Sequence, residues 1–152
     1  MGEKEEFPTK CTVNAVEVGQ ILELRHRVLR AGLPAEAARF SGDEAATTKH
    51  LAAMIEGRVV GCATVLLNEW EGEAAWQLRG MAVDEHHRSQ GIGKILLDEC
   101  ERIASESNTA LLWCNARVPA VRFYQQNGWA VVSDEFEVPT AGPHVKMIKR
   151  LT

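Results

Sequence analysis

"RSQGIGK", residues 88–94, follows the apolar triplet Met81–Val83 and the short turn "DEHH", and runs straight into the helix-like stretch "ILLDECERIA". Two glycines one residue apart, where a strand gives way to a helix, make a loop suited to an anion. The first N–H groups of a helix have no intrahelical acceptor, and the helix dipole adds partial positive charge there. Gly91 and Gly93 remove side chains that would keep a phosphate away from the backbone, while Arg88 and Lys94 add charge from the edges. Two nucleotide loops fail on residues their chemistry requires. A Walker A loop needs Gly at position 88 and Ser or Thr at position 95, and a dinucleotide fingerprint needs Gly or Ala at position 96. The chain has Arg88, Ile95 and Leu96 there. Alone, the two glycines would serve equally well as a tight turn.

Outward from the loop, the pattern alternates between strands and helices. "CTVNAVEV" (11–18) reads as a strand and "GQILELRHRVLRAG" (19–32) as an amphipathic helix, with Ile21, Leu22, Leu24 and Val28 near one face and Gly32 as its stop. Residues 33–48 are small, polar and Gly/Pro-punctuated, a loop long enough to suggest a lid or binding segment. "HLAAMI" and "VVGCATVLLN" form a hairpin across "EGR", and "AWQLRGMAV" is a further strand. The helix after the glycine loop extends to residue 105, with Ile92, Ile95, Leu96, Cys100 and Ile103 at helical spacing. "ALLWCNA" (110–116) is a strand buried on both faces. "PAVRFYQQN" starts a helix at Pro119 and ends it at Gly128; "WAVVSDEFEV" and "HVKMIKRL" are two closing strands. The order β-α-β-β-β-α-β-α-β-β predicts one α/β domain over residues 1–152. It has a mixed sheet of about seven strands, helices on both faces, and a flexible segment at residues 1–10.

"LRGMAVDEHHRSQGIGKILL" resembles motif A of the GNAT superfamily of N-acetyltransferases, with Arg88, Gly91 and Gly93 in its three defined positions. "NARVPAVRFYQQNGW" resembles the second signature of that superfamily through Ala120, Phe123, Tyr124, Gly128 and Trp129. The closing "FEVPTAGPHVKM" looks like the end of small bacterial-type members of unassigned substrate. The resemblance implies a GNAT-like fold and acetyl-CoA as acyl donor. Its pyrophosphate would be held by backbone N–H groups along Arg88, Ser89, Gln90, Gly91, Ile92, Gly93 and Lys94. It also implies that the strands "QLRGMAV" and "LLWCNA" splay apart, so that the pantetheine arm pairs with backbone at Met81, Ala82 and Val83. An N–H there would polarise the thioester carbonyl.

The implied activity is acetyl transfer to a primary amine by direct attack in a ternary complex. The sequence fits that route: no nucleophile-elbow motif surrounds Ser89, Ser105, Ser107 or Ser133. Freeing a lysine-like amine of its proton costs about 4 kcal/mol at a pKa roughly three units above ambient. Tyr124 holds the position the superfamily uses for the acid that protonates the departing thiolate. Asn115, at a strand end, either bonds the cofactor or caps a turn. The base is open among Glu73, Asp84, Glu135, Glu137, His144 and an ordered water. Arg25, Arg27 and Arg30 would either favour an anionic acceptor or form a solvated helix face.

Composition sets the outer limits. A net charge of −4 argues against a duplex nucleic-acid partner, and no apolar run approaches the roughly 18 residues of a membrane span. The four scattered cysteines suggest thiols in a reducing cytoplasm rather than disulfides, and the histidine spacing offers no metal site. The partner implied is a small-molecule or peptide amine. The alternative function is an acyl-CoA sensor without catalysis. Whether the chain works alone or as a homodimer is not written in the sequence.

Overall fold

The computed structural model describes residues 10–151, so the flexible segment expected at residues 1–10 lies, but for Lys10, outside the described residues. Eight strands make one sheet: β1 (Cys11–Val16), β2 (Lys49–Ile55), β3 (Arg58–Leu67), β4 (Trp76–Val83), β5 (Leu111–Arg117), β6 (Ala130–Val131), β7 (Phe136–Val138) and β8 (Gly142–Arg150). Three helices pack on it: α1 (Leu22–Leu29), α2 (Ile92–Ser105) and α3 (Val121–Gln126). The strand order is β1-β2-β3-β4-β5-β8-β6, with β7 also pairing β8. Every pairing is antiparallel except β4 with β5, which is the crossover spanned by α2.

Strand alternation sorts the core onto two faces. Leu51 and Ala53 of β2, with Ala63 and Val65 of β3, pack with Leu96, Leu97 and Cys100 of α2. Ala52, between Leu51 and Ala53, and Cys62, just before Ala63, pack with Ile21 and with Leu24 of α1. Helices therefore cover both faces, as the sequence pattern predicts. Each fully buried Leu or Ile contributes about 1.5–3 kcal/mol, so the five buried positions of α2 anchor it firmly. Ile95 is not among them. It is exposed, and Leu97 takes the buried place that the spacing assigned to it.

The closing segment differs from the single strand expected over 129–138. Ala130 and Val131 pair with Ile148 and Met147, whereas Phe136 pairs with His144, a register two residues out of step. The mismatch is taken up at Ser133, whose Oγ accepts the Lys146 N–H at 2.8 Å in place of a backbone carbonyl.

Two irregularities shape the site. Cys62 pairs with Ala82 but Thr64 with Arg79, so β4 carries one extra residue between them, a bulge at Gly80–Met81. Gly80 has φ +68, and a Cβ there would stand 3.0 Å from Arg25 Nε, so both backbone and space require glycine. Beyond the bulge β4 leaves its parallel partner: pairing with β5 runs from Trp76–Leu112 to Leu78–Cys114 and stops. The backbone of β4 from Arg79 to Val83 has no partner strand on that side.

Candidate active site

A pocket of about 500 Å3 opens where β4 and β5 part. Its walls come from β4 and its bulge, the end of β5, α3, the end of α1, the segment at Arg39–Ser41 and the turn before β8. Tyr124 and His144, far apart in sequence, both line it.

Tyr124 is the inward residue of α3, and its hydroxyl lies beside the Cys114 thiol on β5. Burial, together with the neighbouring Cys114 and Cys100 thiols, pushes its phenol well above the ordinary value, so the phenol keeps its proton at neutral pH. Phe123, the partner that sequence reasoning assigns to the core, is only half-buried and lines the pocket. Tyr124 instead is the core member of the pair, packed at 5.2 Å between the rings of Phe123 and Trp129.

His144 is 6% exposed and starts the inner part of β8 opposite Arg117. Its Nδ1 lies 2.8 Å from the Gly142 carbonyl. A carbonyl only accepts, so in the neutral ring Nδ1 carries the proton and the lone pair is on Nε2. The other base candidates lie elsewhere. Glu73 is held by Arg150 at 2.8 Å in the turn before β4. Asp84 accepts the His86 N–H at 2.8 Å and faces Arg27, and these hold its carboxyl below the usual range. Glu135 and Glu137 are exposed and stand outside the pocket walls.

The glycine loop sits just past the free end of β4. Ser89 and Gly91 both take left-handed backbone, φ 65 and φ 83, and Gly91 caps α2. A Cβ at Gly91 would touch nothing within 4 Å, so glycine is needed there for its φ rather than for space within the protein. Among the described residues, the helix ladder opens with the Ile95 N–H donating to the Gly91 carbonyl at 3.2 Å. The N–H groups of Ile92, Gly93 and Lys94 thus have no helical acceptor.

The predicted binding residues do not act alike. Met81 and Asn115 line the pocket. Ala82 is buried beside α1, and Val83 offers its carbonyl to Arg88 Nε at 3.4 Å. Ser89, Gln90 and Gly91 are exposed, whereas the Ile92 side chain is core, so only its N–H is available to a ligand. The Lys94 ammonium turns away from the loop to Asp98, at 3.0 Å. The Asn115 amide is likewise engaged, its Oδ1 accepting from Lys146 at 2.9 Å. Strand alternation sets Asn115 on the face opposite Cys114 and Tyr124.

Of the three arginines singled out on α1, only Arg30 reaches the pocket. Arg25 is wholly buried, with Nη1 donating to Asp43 at 2.7 Å and Nη2 to Thr64 at 2.8 Å. Arg27 is held by Glu23, Glu85 and Asp84. Sequence reasoning missed Arg79, Arg117 and Phe40. A lone Arg in the otherwise apolar "QLRGMAV" was the one signal available, since a charge on an inner strand needs a purpose. The four cysteines are free thiols, three of them buried. No cluster of three or more metal-ligating side chains occurs among the described residues, and no helix among them is long and apolar enough to cross a membrane.

Residues 18–129 match the acetyltransferase (GNAT) family. The chain is 32% identical over 145 residues to the uncharacterized N-acetyltransferase YitI of Bacillus subtilis strain 168, covering 91% of this chain and 95% of the relative. Its fold is similar to that of Escherichia coli ElaA, with a TM-score of 0.76 at 19% identity, covering 93% of this chain and 99% of that one. It is similar also to an aminoglycoside 6'-N-acetyltransferase complexed with coenzyme A, with a TM-score of 0.75 at 13% identity, covering 93% and 97%.

Proposed function

Because the chain belongs to the acetyltransferase (GNAT) family and is an acyl-CoA-dependent N-acyltransferase, we propose that it moves an acetyl group from acetyl-CoA to a primary amine of a small molecule or peptide. The single observation that carries this reading is the convergence of Tyr124 and His144 on one pocket, at the point where β4 loses its partner strand.

The donor's pyrophosphate fits the nest of free N–H groups at Ile92, Gly93 and Lys94, flanked by Arg88. The unpaired backbone of β4 from Arg79 to Val83 can accept an extended arm as an added strand. When bound, the donor supplies an acetyl thioester. His144 Nε2 takes the proton that the amine must lose, and Nδ1, bonded to the Gly142 carbonyl, keeps the ring oriented. The Tyr124 hydroxyl holds the proton that the departing thiolate gains. Burial keeps that phenol protonated. The ammonium gives up two protons on its way to the amide, of which the thiol gains one and solvent the other; the C–N bond forms as the C–S bond breaks, so no covalent enzyme intermediate is required. The free cysteines accord with a reducing, cytoplasmic setting.

The direct test of the donor is a melting curve. Acetyl-CoA at 100 times its dissociation constant should stabilise the protein by about 2.7 kcal/mol, whereas ATP and NAD should not. No shift with millimolar acetyl-CoA removes the basis of the proposal.

A further inference from the structure

The acceptor side of the pocket carries an unusual charge distribution. Arg30, Arg79 and Arg117 all line it, all are half-buried, and no carboxylate lines it with them. Among the described residues none of the three has an ion-pair partner, while nearby Arg25 and Arg39 are paired with Asp43 and Glu44. Phe40 gathers the group: its ring centroid lies 4.0 Å from Arg25, 4.8 Å from Arg30 and 5.6 Å from Arg79. Arg30 and Arg117 both donate to the Leu29 carbonyl, at 3.0 Å each, which fixes two guanidiniums side by side.

Arg79 is the least satisfied of them. Its Nε and Nη2, the two donors along one edge of the guanidinium, are buried without a hydrogen-bond partner. A Cβ on Gly42 would stand 3.3 Å from Nη2, which places this edge at the end of the segment that supplies Arg39, Phe40 and Ser41 to the pocket. Burial, then repulsion from Arg117 and Arg25, holds Arg30 below the usual guanidinium value; burial lowers Arg79 as well, against the attraction of Asp43, and both remain charged. Such a cluster opposes itself until an anion joins it.

The geometry points to an acceptor that carries an oxyanion, a carboxylate or a phosphate, beside its amine, with Arg30, Arg79 and Arg117 together supplying the charge that meets it. Arg forks match carboxylate and phosphate alike. A polycation such as an aminoglycoside meets repulsion on the same wall, so this chain parts from the aminoglycoside 6'-N-acetyltransferase whose fold it shares. The inference rests on the amine-acetylation reading and narrows it.

The test compares matched acceptors that differ only in the anion. Values of kcat/KM are measured for a panel of α-amino acids against their primary amides, and for O-phosphoethanolamine against ethanolamine, with acetyl-CoA as donor. One of the two pairs should favour the anionic member by about 10–100-fold, the scale of a charge-assisted contact; which pair does so identifies the oxyanion. In Arg79→Gln the preference should fall to near one, with acetyl-CoA affinity and melting temperature kept; Arg79→Lys should restore it only in part. Equal rates for anion and neutral analogue, or a weaker grip on acetyl-CoA with the preference intact, overturn the inference. Titrating the N-acetyl amino acids and their amides makes the same comparison without chemistry. Absent turnover alongside a retained binding preference counts against acetyl transfer and not against the anionic acceptor.

Discussion

The Phe123 ring lies so close over Gly93 that a Cβ on this glycine would stand 3.3 Å from the ring's ζ carbon. Through this contact the first turn of α2, where we propose that the donor's pyrophosphate binds, rests directly on α3, which carries Tyr124. The second glycine of the loop is thus a packing requirement between the two halves of the site. Gly93→Ala should gain up to about 1 kcal/mol of helix propensity and lose a similar amount to the displaced ring, leaving the melting temperature little changed. Acetyl-CoA affinity should still weaken, because the nest and α3 no longer meet in the same place. Isothermal titration beside a melting curve checks both; unchanged affinity would mean that the loop tolerates the shift.

The buried pair of Arg25 and Asp43 ties α1 to the segment that lines the pocket. Asp43→Asn leaves the Arg25 charge without its partner and should cost about 3–5 kcal/mol at neutral pH. Burial alone would raise the Asp43 carboxyl, but hydrogen bonds from Arg25 and the Phe40 N–H outweigh it and hold the carboxyl below its ordinary value. Its contribution is therefore complete above the unfolded value near 3.9 and is lost as pH falls through the lower folded value. Denaturant melts from pH 7 down to about pH 3 should show the gap between wild type and variant closing only at the acid end.

Periodicity was enough for the helices on both faces and the chain order, because α1 and α2 each bury one consistent face. The start of α2 at Gly91 was legible too, since it depends on local backbone alone. What could not be read depends on contacts distant in sequence. The bulge at Gly80–Met81 is visible only in the pairing with β3, and with it the point at which β4 leaves β5. Arg25 looked like a surface charge because its partners, Asp43 and Thr64, are 18 and 39 residues away. His144 was one base candidate among several; only the fold separates it from the outward or paired carboxylates. Phe123 and Tyr124 exchanged their expected depths because the short α3 starts after the turn at Val118–Ala120, which rotates the helix face that meets the core.

His144→Gln keeps a polar side chain and removes the base. Turnover near neutral pH should fall by roughly 10²–10⁴, with acetyl-CoA affinity unchanged. The deficit should shrink as pH rises toward the amine's own pKa, about 10 for a lysine-like amine, because the acceptor then arrives already deprotonated. A pH–rate profile for both proteins decides it, and a constant deficit across pH would assign His144 to positioning.

Tyr124→Phe deletes one buried hydroxyl whose neighbour is the Cys114 thiol, so stability should change by no more than about 1 kcal/mol. With chemistry limiting, turnover should drop by roughly 10²–10⁴ if the phenol protonates the thiolate. A stability loss with undiminished turnover would leave Tyr124 as a packing residue and hand its proton to water.

The most direct measurement is the acetylation itself: release of the CoA thiol from acetyl-CoA in the presence of an amine panel, with mass spectrometry of each acceptor. Thiol release should depend on the acceptor and be matched by one acetyl group gained on its amine. Acetyl-CoA that binds and raises the melting temperature, yet gives no acetylated amine from any acceptor, would contradict it and leave a sensor of acyl-CoA in place of an enzyme.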